Sequence, residues 1–248
     1  MIYDFHSHVL PGVDHGAKNM DMSLQMLRKS AEMGVEAVVA TSHCYPTSEK
    51  GIERFIEERD RVFDLLPLDN GMPKLYKGCE VHLTGDLSEL SNIDRLCIEN
   101  TRYMLLEMPT YTWTDNVVEN VYKLTLKKIL PIIAHDERNM NQPAEFRDAL
   151  HDLDVLIQVN SDSFGQKVFK KEIDRLMRIG MLHIVGSDMH DMTERKPGMD
   201  VAQSVVTKRY GADCWAYLMH NAERILNGEK ISYRDFRTFS KKSILRKK

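Results

Sequence analysis

Three of the ten histidines of this chain lie within its first sixteen residues, in the segment MIYDFHSHVLPGVDHG. Two of them, His6 and His8, are separated by one residue and follow a short apolar, β-branched run. Imidazole is a common ligand of divalent metal ions such as zinc and iron. Two imidazoles at the end of a predicted strand therefore indicate that a metal ion holds them together.

Further histidines and carboxylates stand at the ends of apolar runs along the rest of the chain. Taken singly, each is more typical of a hydrogen-bonded histidine, a surface charge or a helix N-cap. As a set, they are groups that bury badly unless they are paired or bound to metal, so the set predicts a metal centre. With the first pair, the candidate ligands are His6, His8, His43, Glu80, Glu107, His135, Asp188 and His190.

The number of candidates indicates more than one ion. About four ligands make one site, so this set is enough for two or three ions that share a bridging carboxylate. Two ions about 3.5–4 Å apart can hold a bridging hydroxide together with the oxygens of a phosphoryl group. The predicted chemistry is therefore hydrolytic attack on a phosphate ester.

Short apolar runs of strand length alternate with amphipathic stretches along most of the chain. The predicted strands are Ile2–Phe5, Ala37–Thr41, Lys74–Glu80, Tyr103–Glu107, Ile132–His135, Val155–Asn160 and Ile184–Ser187. The predicted helices are Met20–Gly34, Ile52–Leu66, Asp115–Lys128, Ala144–His151, Val168–Gly180 and Val201–Tyr210. This alternation predicts a parallel sheet with right-handed crossovers.

A closed α/β barrel fits these elements better than an open doubly wound sheet, because neither GxGxxG nor GxxxxGK[ST] is present. The carboxyl ends of barrel strands converge on one face, where barrel active sites are built. The candidate ligands follow the ends of six predicted strands, so we expect them to meet there. Only the sixth strand, which ends in IQVNS, carries no strong ligand.

Composition bounds the function classes. The 248 residues carry a net charge of −3, which argues weakly against nucleic acid as the main partner. No apolar run is long enough to span a membrane and no signal-peptide pattern is visible, so we expect a cytoplasmic protein. The four cysteines are widely spaced, which favours reduced thiols. None has an arginine six residues on, so the CxxxxxR signature of thiol phosphatases is absent.

The segments FHSHVLPGVD, TSH, TRYMLLEMP, PIIAHDER, QVNS and VGSDMH, in this order, resemble the polymerase-and-histidinol-phosphatase (PHP) family. Within that family the chain is similar to the capsule-biosynthesis protein-tyrosine phosphatases of bacteria. The likeness runs from Met1 to about Asn227. It implies a distorted seven-stranded (β/α)7 TIM-like barrel of the PHP type. We predict one catalytic domain over residues 1–238 and a basic tail over residues 239–248.

The resemblance also implies three divalent ions, with manganese or iron expected and zinc as an option. Related phosphatases often read Asp-Asp-Gly in a turn where this chain has Asp14, His15 and Gly16. By alignment we prefer His15 as the ligand from this turn, with Asp14 as the alternative. Carried over position by position, one ion takes His6, His8, Glu80 and Asp188, a second takes Glu80, Glu107 and His135, and a third takes His15, His43 and His190.

Two arginines lie close to these ligands in the sequence. Arg138 follows His135 by three residues, and Arg195 follows His190 by five. A solvated surface charge is the alternative for each. A guanidinium fork suits bidentate contact with phosphate oxygens, and arginines at matching positions in similar phosphatases lie at the substrate phosphate. We therefore predict that Arg138 and Arg195 are catalytic.

The sequence thus predicts a metal-dependent phosphatase that acts on a tyrosine-phosphorylated protein through a metal-bridging hydroxide. The expected partner is a bacterial tyrosine kinase that controls capsule or exopolysaccharide synthesis. The alternatives are a histidinol-phosphate or other small-molecule phosphatase, a phosphodiesterase or exonuclease, and a metal-binding module without catalysis. The sequence leaves open whether the protein forms a homo-oligomer.

The segment KKSILRKK at residues 241–248 carries five basic residues of eight. We predict that it contacts an anionic membrane surface and is dispensable for chemistry. A disordered solubilising terminus is the alternative.

Overall fold

The computed structural model describes residues 1–231 as an α/β fold built on parallel strands. The strands are β1 (Ile2–Ser7), β2 (Val35–Ala40), β3 (His43–Cys44), β4 (Lys74–Lys77), β5 (Glu80–His82), β6 (Tyr103–Glu107), β7 (Leu130–Ile133), β8 (Leu156–Asn160) and β9 (Ile184–Gly186). The helices are α1 (Met20–Glu32), α2 (Glu49–Asp64), α3 (Asp115–Leu126), α4 (Ala144–Asp152), α5 (Lys170–Ile179), α6 (Met199–Tyr210) and α7 (Ala212–Leu226). The basic tail and the predicted domain boundary at residue 238 lie outside the described residues.

The strands form two hydrogen-bonded groups, in the orders β1-β2-β4 and β3-β5-β6-β7-β8-β9, and every pairing is parallel. The far end of the second group returns to β1. Ser7 forms an isolated parallel bridge with Met189, and the Asp188 N–H donates to the His6 carbonyl at 2.7 Å. The sheet therefore curls in the manner of a TIM-like barrel, as the alternation of elements predicts.

This close approach of β9 to β1 requires a glycine. A Cβ at Gly186 would lie 2.4 Å from the His6 Cβ, which is far inside van der Waals contact. Because His6 lies in β1 and Asp188 follows β9 by two residues, the missing side chain at position 186 brings these two candidate ligands together.

The strand count differs from the expected seven. The third predicted strand is divided into β4 and β5, and an additional short strand, β3, follows β2 just beyond the end of the second predicted strand. Between β4 and β5 the hydrogen-bond pattern is irregular. The Glu80 N–H lies 3.1 Å from the carbonyl oxygens of both Thr41 and Ser42. Helix α2 also begins earlier than predicted, because the Ser48 hydroxyl caps it by accepting from the Gly51 N–H at 3.2 Å.

The strands carry two buried apolar layers because successive side chains point to opposite faces. One layer includes Phe5, Val39, Leu105, Ile132 and Ile184, which come from five different strands. A larger cluster contains their sequence neighbours and the buried faces of the surrounding helices. The smaller layer fills the barrel below the carboxyl ends of the strands, and it forms an apolar floor under the polar residues above. No helix within residues 1–231 is long and apolar enough to cross a bilayer.

Candidate metal centre

The candidate ligands come together at the carboxyl ends of the strands. His6 lies in β1, His43 begins β3, Glu80 begins β5 and Glu107 ends β6. The others stand directly after strands or, for His15, in the turn that follows β1. Five of the candidate ligands are almost inaccessible to solvent, and four of these lie close together, with exposed fractions of 0% for His6, 0% for His8, 1% for Glu80 and 3% for Asp188.

These four buried ligands surround a small space. His6 Nε2 lies 3.1 Å from His8 Nε2, 3.1 Å from Glu80 Oε2 and 3.4 Å from Asp188 Oδ1. His8 Nε2 lies 3.3 Å from each of the same two oxygens. Donors bound at about 2.0–2.1 Å in a tetrahedral shell stand about 3.3 Å apart. The five distances between these donor atoms therefore match those expected around one divalent ion, so the four residues fit a metal site.

Glu80 also faces two further imidazoles. His43 Nδ1 lies 3.1 Å from Glu80 Oε2, and His135 Nε2 lies 2.9 Å from Glu80 Oε1. Glu107 lies 3.9 Å from both imidazoles. His43 Nδ1 and Glu80 Oε2 are buried atoms with no hydrogen-bond partner, because their contacts are close but lack hydrogen-bond geometry. Buried polar atoms without a partner are exceptions in native structures, and a bound ion is one explanation for them.

The turn after β1 places its two candidate ligands differently. His15 Nε2 lies 3.2 Å from His190 Nε2, and the His15 ring is stacked 4.7 Å from the His43 ring. Asp14 instead accepts from His8 Nδ1 at 2.7 Å and from the His43 N–H at 2.9 Å. The turn packs tightly against His8, since a Cβ at Gly16 would lie 2.3 Å from the His8 carbonyl oxygen. Asp14 thus holds ligands in place, while His15 faces the cluster itself.

The pKa values of several candidate ligands are shifted by their surroundings in the direction that metal binding requires. Burial, together with the nearby His8, lowers the pKa of His43 to about 4 and that of His190 to about 3. At neutral pH these two rings are therefore uncharged and can offer a lone pair. Burial raises the pKa of Glu80, but His6 and the other imidazoles outweigh it and hold that pKa well below its usual range.

Two of the ligands have an uncommon backbone conformation. His135 has a φ of 34° and Asp188 a φ of 55°, both in the left-handed region that non-glycine residues rarely adopt. Each residue follows a strand that has just ended, and the left-handed turn directs its side chain over the barrel mouth. Such strain persists where the surroundings hold it, and it clusters at functional sites.

Both predicted arginines reach this site. Arg138 Nη2 lies 2.9 Å and Arg195 Nη2 lies 2.5 Å from Asp188 Oδ2. The two oxygens of Asp188 therefore have different neighbours: Oδ1 faces His6 and His8, and Oδ2 faces the two guanidinium groups. The two arginines and Asp188 also line an open cavity of about 400 Å³, together with Lys29 and Lys196. The lining carries four basic and four acidic side chains, so the charge that a dianionic ester could use is that of the two guanidinium groups beside Asp188.

The structure reveals supporting residues that the sequence patterns do not single out. His82 hydrogen-bonds to Glu107 Oε2 through Nδ1 at 2.9 Å. Gln158 and Asn160 on β8 lie fully buried beside the ligands. Asp14, the alternative ligand in the turn, accepts hydrogen bonds from two candidate ligand residues, His8 and His43. The one available signal is the even spacing of Gln158 and Asn160, which places both amides on one face of a strand.

Known proteins resemble this chain over most of its length. The family model described as capsular polysaccharide synthesis, CpsB/CapC, matches residues 2–227. The chain is 30% identical to the tyrosine-protein phosphatase CpsB of Streptococcus pneumoniae over 84% of this chain and 91% of that protein. It is 27% identical to the tyrosine-protein phosphatase YwqE of Bacillus subtilis over 92% of each.

One of the solved structures shares the fold. It comes from a crystallographic study of YwqE and CpsB, which describes them as unique metal-dependent tyrosine phosphatases. It superposes with a TM-score of 0.77 at 24% identity and covers 93% of this chain and 96% of that one. The shared fold therefore extends over nearly the whole of both chains.

Proposed function

The chain belongs to the CpsB/CapC family of capsular polysaccharide synthesis, and on that premise we propose that it hydrolyses phosphotyrosine in proteins with bound divalent metal. The enzyme class is phosphoric monoester hydrolase. One observation carries the proposal, which is the buried shell of His6, His8, Glu80 and Asp188 with two arginines at its edge.

We assign the ligands as three groups around Glu80. The supporting contacts are the four-atom shell, the approach of His135 and Glu107 to Glu80, and the pairing of His15 with His190. Manganese or iron are the metals we propose, with zinc as an option. When bound, such ions would lower the pKa of water, so that a nucleophile forms at neutral pH, and would screen phosphate charge.

The side chains of this chain would orient the ester. Arg138 and Arg195 are more than one-third exposed and converge on one point, Asp188 Oδ2, at the edge of the cavity. Their guanidinium groups can turn from that carboxylate to the phosphate oxygens of a substrate, and each can donate two hydrogen bonds. The phenol released from tyrosine has a pKa of about 10, so it departs with less help from a proton donor than an alcohol needs.

The reaction should depend on metal and not on a thiol. All four cysteines are buried, and burial raises the pKa of Cys97 and of Cys214 to about 12. We expect a chelator to abolish hydrolysis of a phosphotyrosyl peptide and added metal to restore it. Iodoacetamide should leave most of the activity. Turnover that survives chelation but not alkylation would contradict the proposal, and faster turnover of histidinol phosphate would favour the small-molecule alternative.

Metal analysis of two alanine variants distinguishes the candidates in the turn. We expect His15→Ala to lose one ion for each chain, because its imidazole faces His190 at 3.2 Å. Asp14→Ala should keep the full number of ions at saturating metal, but with an affinity lower by about 10–100-fold, because it removes the acceptor for His8 Nδ1. An Asp14→Ala protein that lacks an ion at saturation, beside a complete His15→Ala protein, would reverse the assignment.

Tyr45 is the residue that we propose to favour aromatic esters. Its side chain is 57% exposed, and its ring lies 5.8 Å from the His43 ring and 5.3 Å from the His82 ring. An exposed ring beside the ligands can stack against the ring of phosphotyrosine. We expect Tyr45→Ala to lower kcat/KM for a phosphotyrosyl peptide by roughly 2–10-fold and leave a phosphoseryl peptide unchanged. Tyr45→Phe is the matched control, and an equal loss on both peptides would count against stacking.

We further propose the cellular setting that the sequence predicts. The substrate is a tyrosine-phosphorylated protein, in particular a bacterial tyrosine kinase of capsule or exopolysaccharide synthesis, in the cytoplasm. The names of the relatives and of the family support this setting. We also propose a distorted seven-stranded barrel, with β2 and β3 as one strand and β4 and β5 as another, in a domain over residues 1–238. The membrane role of the tail and a homo-oligomer stay predictions.

A further inference from the structure

We propose that Gln158 and Asn160 form an amide relay that selects the proton position on His6 and aims one oxygen of Asp188 at the metal. The inference rests on the proposed metal centre. Both residues lie on β8, the strand that brings no imidazole or carboxylate to the site, and both are 0% exposed. A buried primary amide is costly unless its donors and acceptors are paired, so its partners are informative.

A backbone group sets the orientation of the Gln158 amide. The His135 N–H donates to Gln158 Oε1 at 2.9 Å. Since a backbone N–H can only donate, the atom that faces it must be the amide oxygen. The same oxygen lies 3.2 Å from His6 Nδ1. An amide oxygen can only accept, so His6 Nδ1 carries a hydrogen.

This contact decides which nitrogen of His6 can bind metal. When the ring is neutral, a hydrogen on Nδ1 leaves the lone pair on Nε2. Nε2 is the atom that lies 3.1 Å from both His8 Nε2 and Glu80 Oε2, within the four-ligand shell. Gln158 therefore holds His6 in the tautomer that the shell requires.

The NH₂ group of Gln158 orients the Asn160 amide, which in turn donates a hydrogen bond to Asp188. Gln158 Nε2 donates to Asn160 Oδ1 at 2.9 Å, so Asn160 presents its NH₂ group at its other end. Asn160 Nδ2 donates to Asp188 Oδ2 at 2.8 Å. Asp188 Oδ1 is then the oxygen left toward His6 and His8. One backbone N–H in the loop after β7 thus determines the hydrogen bonds of ligands that lie on β1 and after β9.

The relay can be cut at either amide. Gln158→Met keeps a similar length and removes all three hydrogen bonds of the amide, whereas Gln158→Glu keeps an acceptor for His6 and His135. Asn160→Ala removes the hydrogen bond to Asp188 and the acceptor for Gln158 Nε2, but it leaves the His135 N–H to orient the Gln158 amide. Gln25→Met, at an exposed glutamine of α1, is the matched control. Each full-length variant is titrated with zinc against a chromophoric chelator, and the zinc-loaded protein is examined by nitrogen-15 NMR of its histidines.

We expect Gln158→Met to lower the affinity for one ion by about 10–100-fold and to lose the Nδ1–H signal of His6. Gln158→Glu should retain that signal. Asn160→Ala should also retain it but should bind zinc about 10–100-fold more weakly through Asp188. The control should match the unchanged protein in both measurements.

An unchanged zinc affinity in both Gln158→Met and Asn160→Ala, beside a retained His6 signal, would overturn the relay. Loss of the His6 signal in Asn160→Ala would also overturn the proposed direction, since the His135 N–H should still hold Gln158. If Gln158→Met does not fold, the Gln158→Glu and Asn160→Ala proteins decide the question. Failure of the unchanged protein to bind zinc would count instead against the metal centre.

Discussion

Replacement of Glu80 by glutamine is expected to remove bound metal and to lower phosphotyrosine turnover by about 10³-fold or more. Glu80 contacts four imidazoles, those of His6, His8, His43 and His135, at 2.9–3.3 Å. A neutral amide cannot supply the negative charge that ions on both sides of this carboxylate require. Bound ions stabilise charge in the transition state by several kcal/mol, and each 1.36 kcal/mol corresponds to a tenfold change in rate.

Two measurements test this expectation, the metal content of the purified variant and its kcat on a phosphotyrosyl peptide. Glu53→Gln, at an exposed position of α2, is the matched control and should behave as the unchanged protein. A Glu80→Gln protein that keeps its metals and most of its turnover would show that Glu80 does not bridge ions.

Replacement of Arg138 by alanine should have the second-largest effect, a loss of about 10²–10³-fold in kcat, with the metal content retained. Removal of one preorganised charge donor typically has an effect of this size. Arg138 contacts Asp188 Oδ2 at 2.9 Å, but its side chain is exposed, and the fully buried Asn160 amide still holds the same oxygen in the variant. The ligand shell should therefore stay intact while the phosphate loses one of its two guanidinium partners.

Metal analysis separates this role from a structural one. Arg138→Lys keeps the charge but loses the fork, so it should recover only part of the lost rate. Arg54→Ala, at an exposed position of α2, is the control for removal of a surface arginine. If Arg138→Ala also loses its metals, Arg138 supports Asp188 and does not act on the phosphate.

The family and the general fold could be predicted from the sequence. The family assignment from ordered segments such as PIIAHDER and VGSDMH is confirmed by the match over residues 2–227. The α/β architecture is confirmed in general, because strand-length apolar runs with amphipathic stretches between them have few other ways to bury both surfaces. The number of strands was not predictable, because the breaks after Ala40 and Lys77 arise from hydrogen bonds to neighbouring strands.

By itself, the sequence determined which residue types stand at the ends of the strands, because side-chain periodicity and strand direction are local properties. That was enough to name His6, Glu80 and Asp188 as candidate ligands before any distance was known. Only the tertiary structure decided how those ligands are held. The partners of His6, Asp188 and Glu107 are Gln158, Asn160 and His82, and they lie 152, 28 and 25 positions away in the chain. Contacts over such separations depend on how strands pack side by side, so they leave no periodic pattern in the sequence.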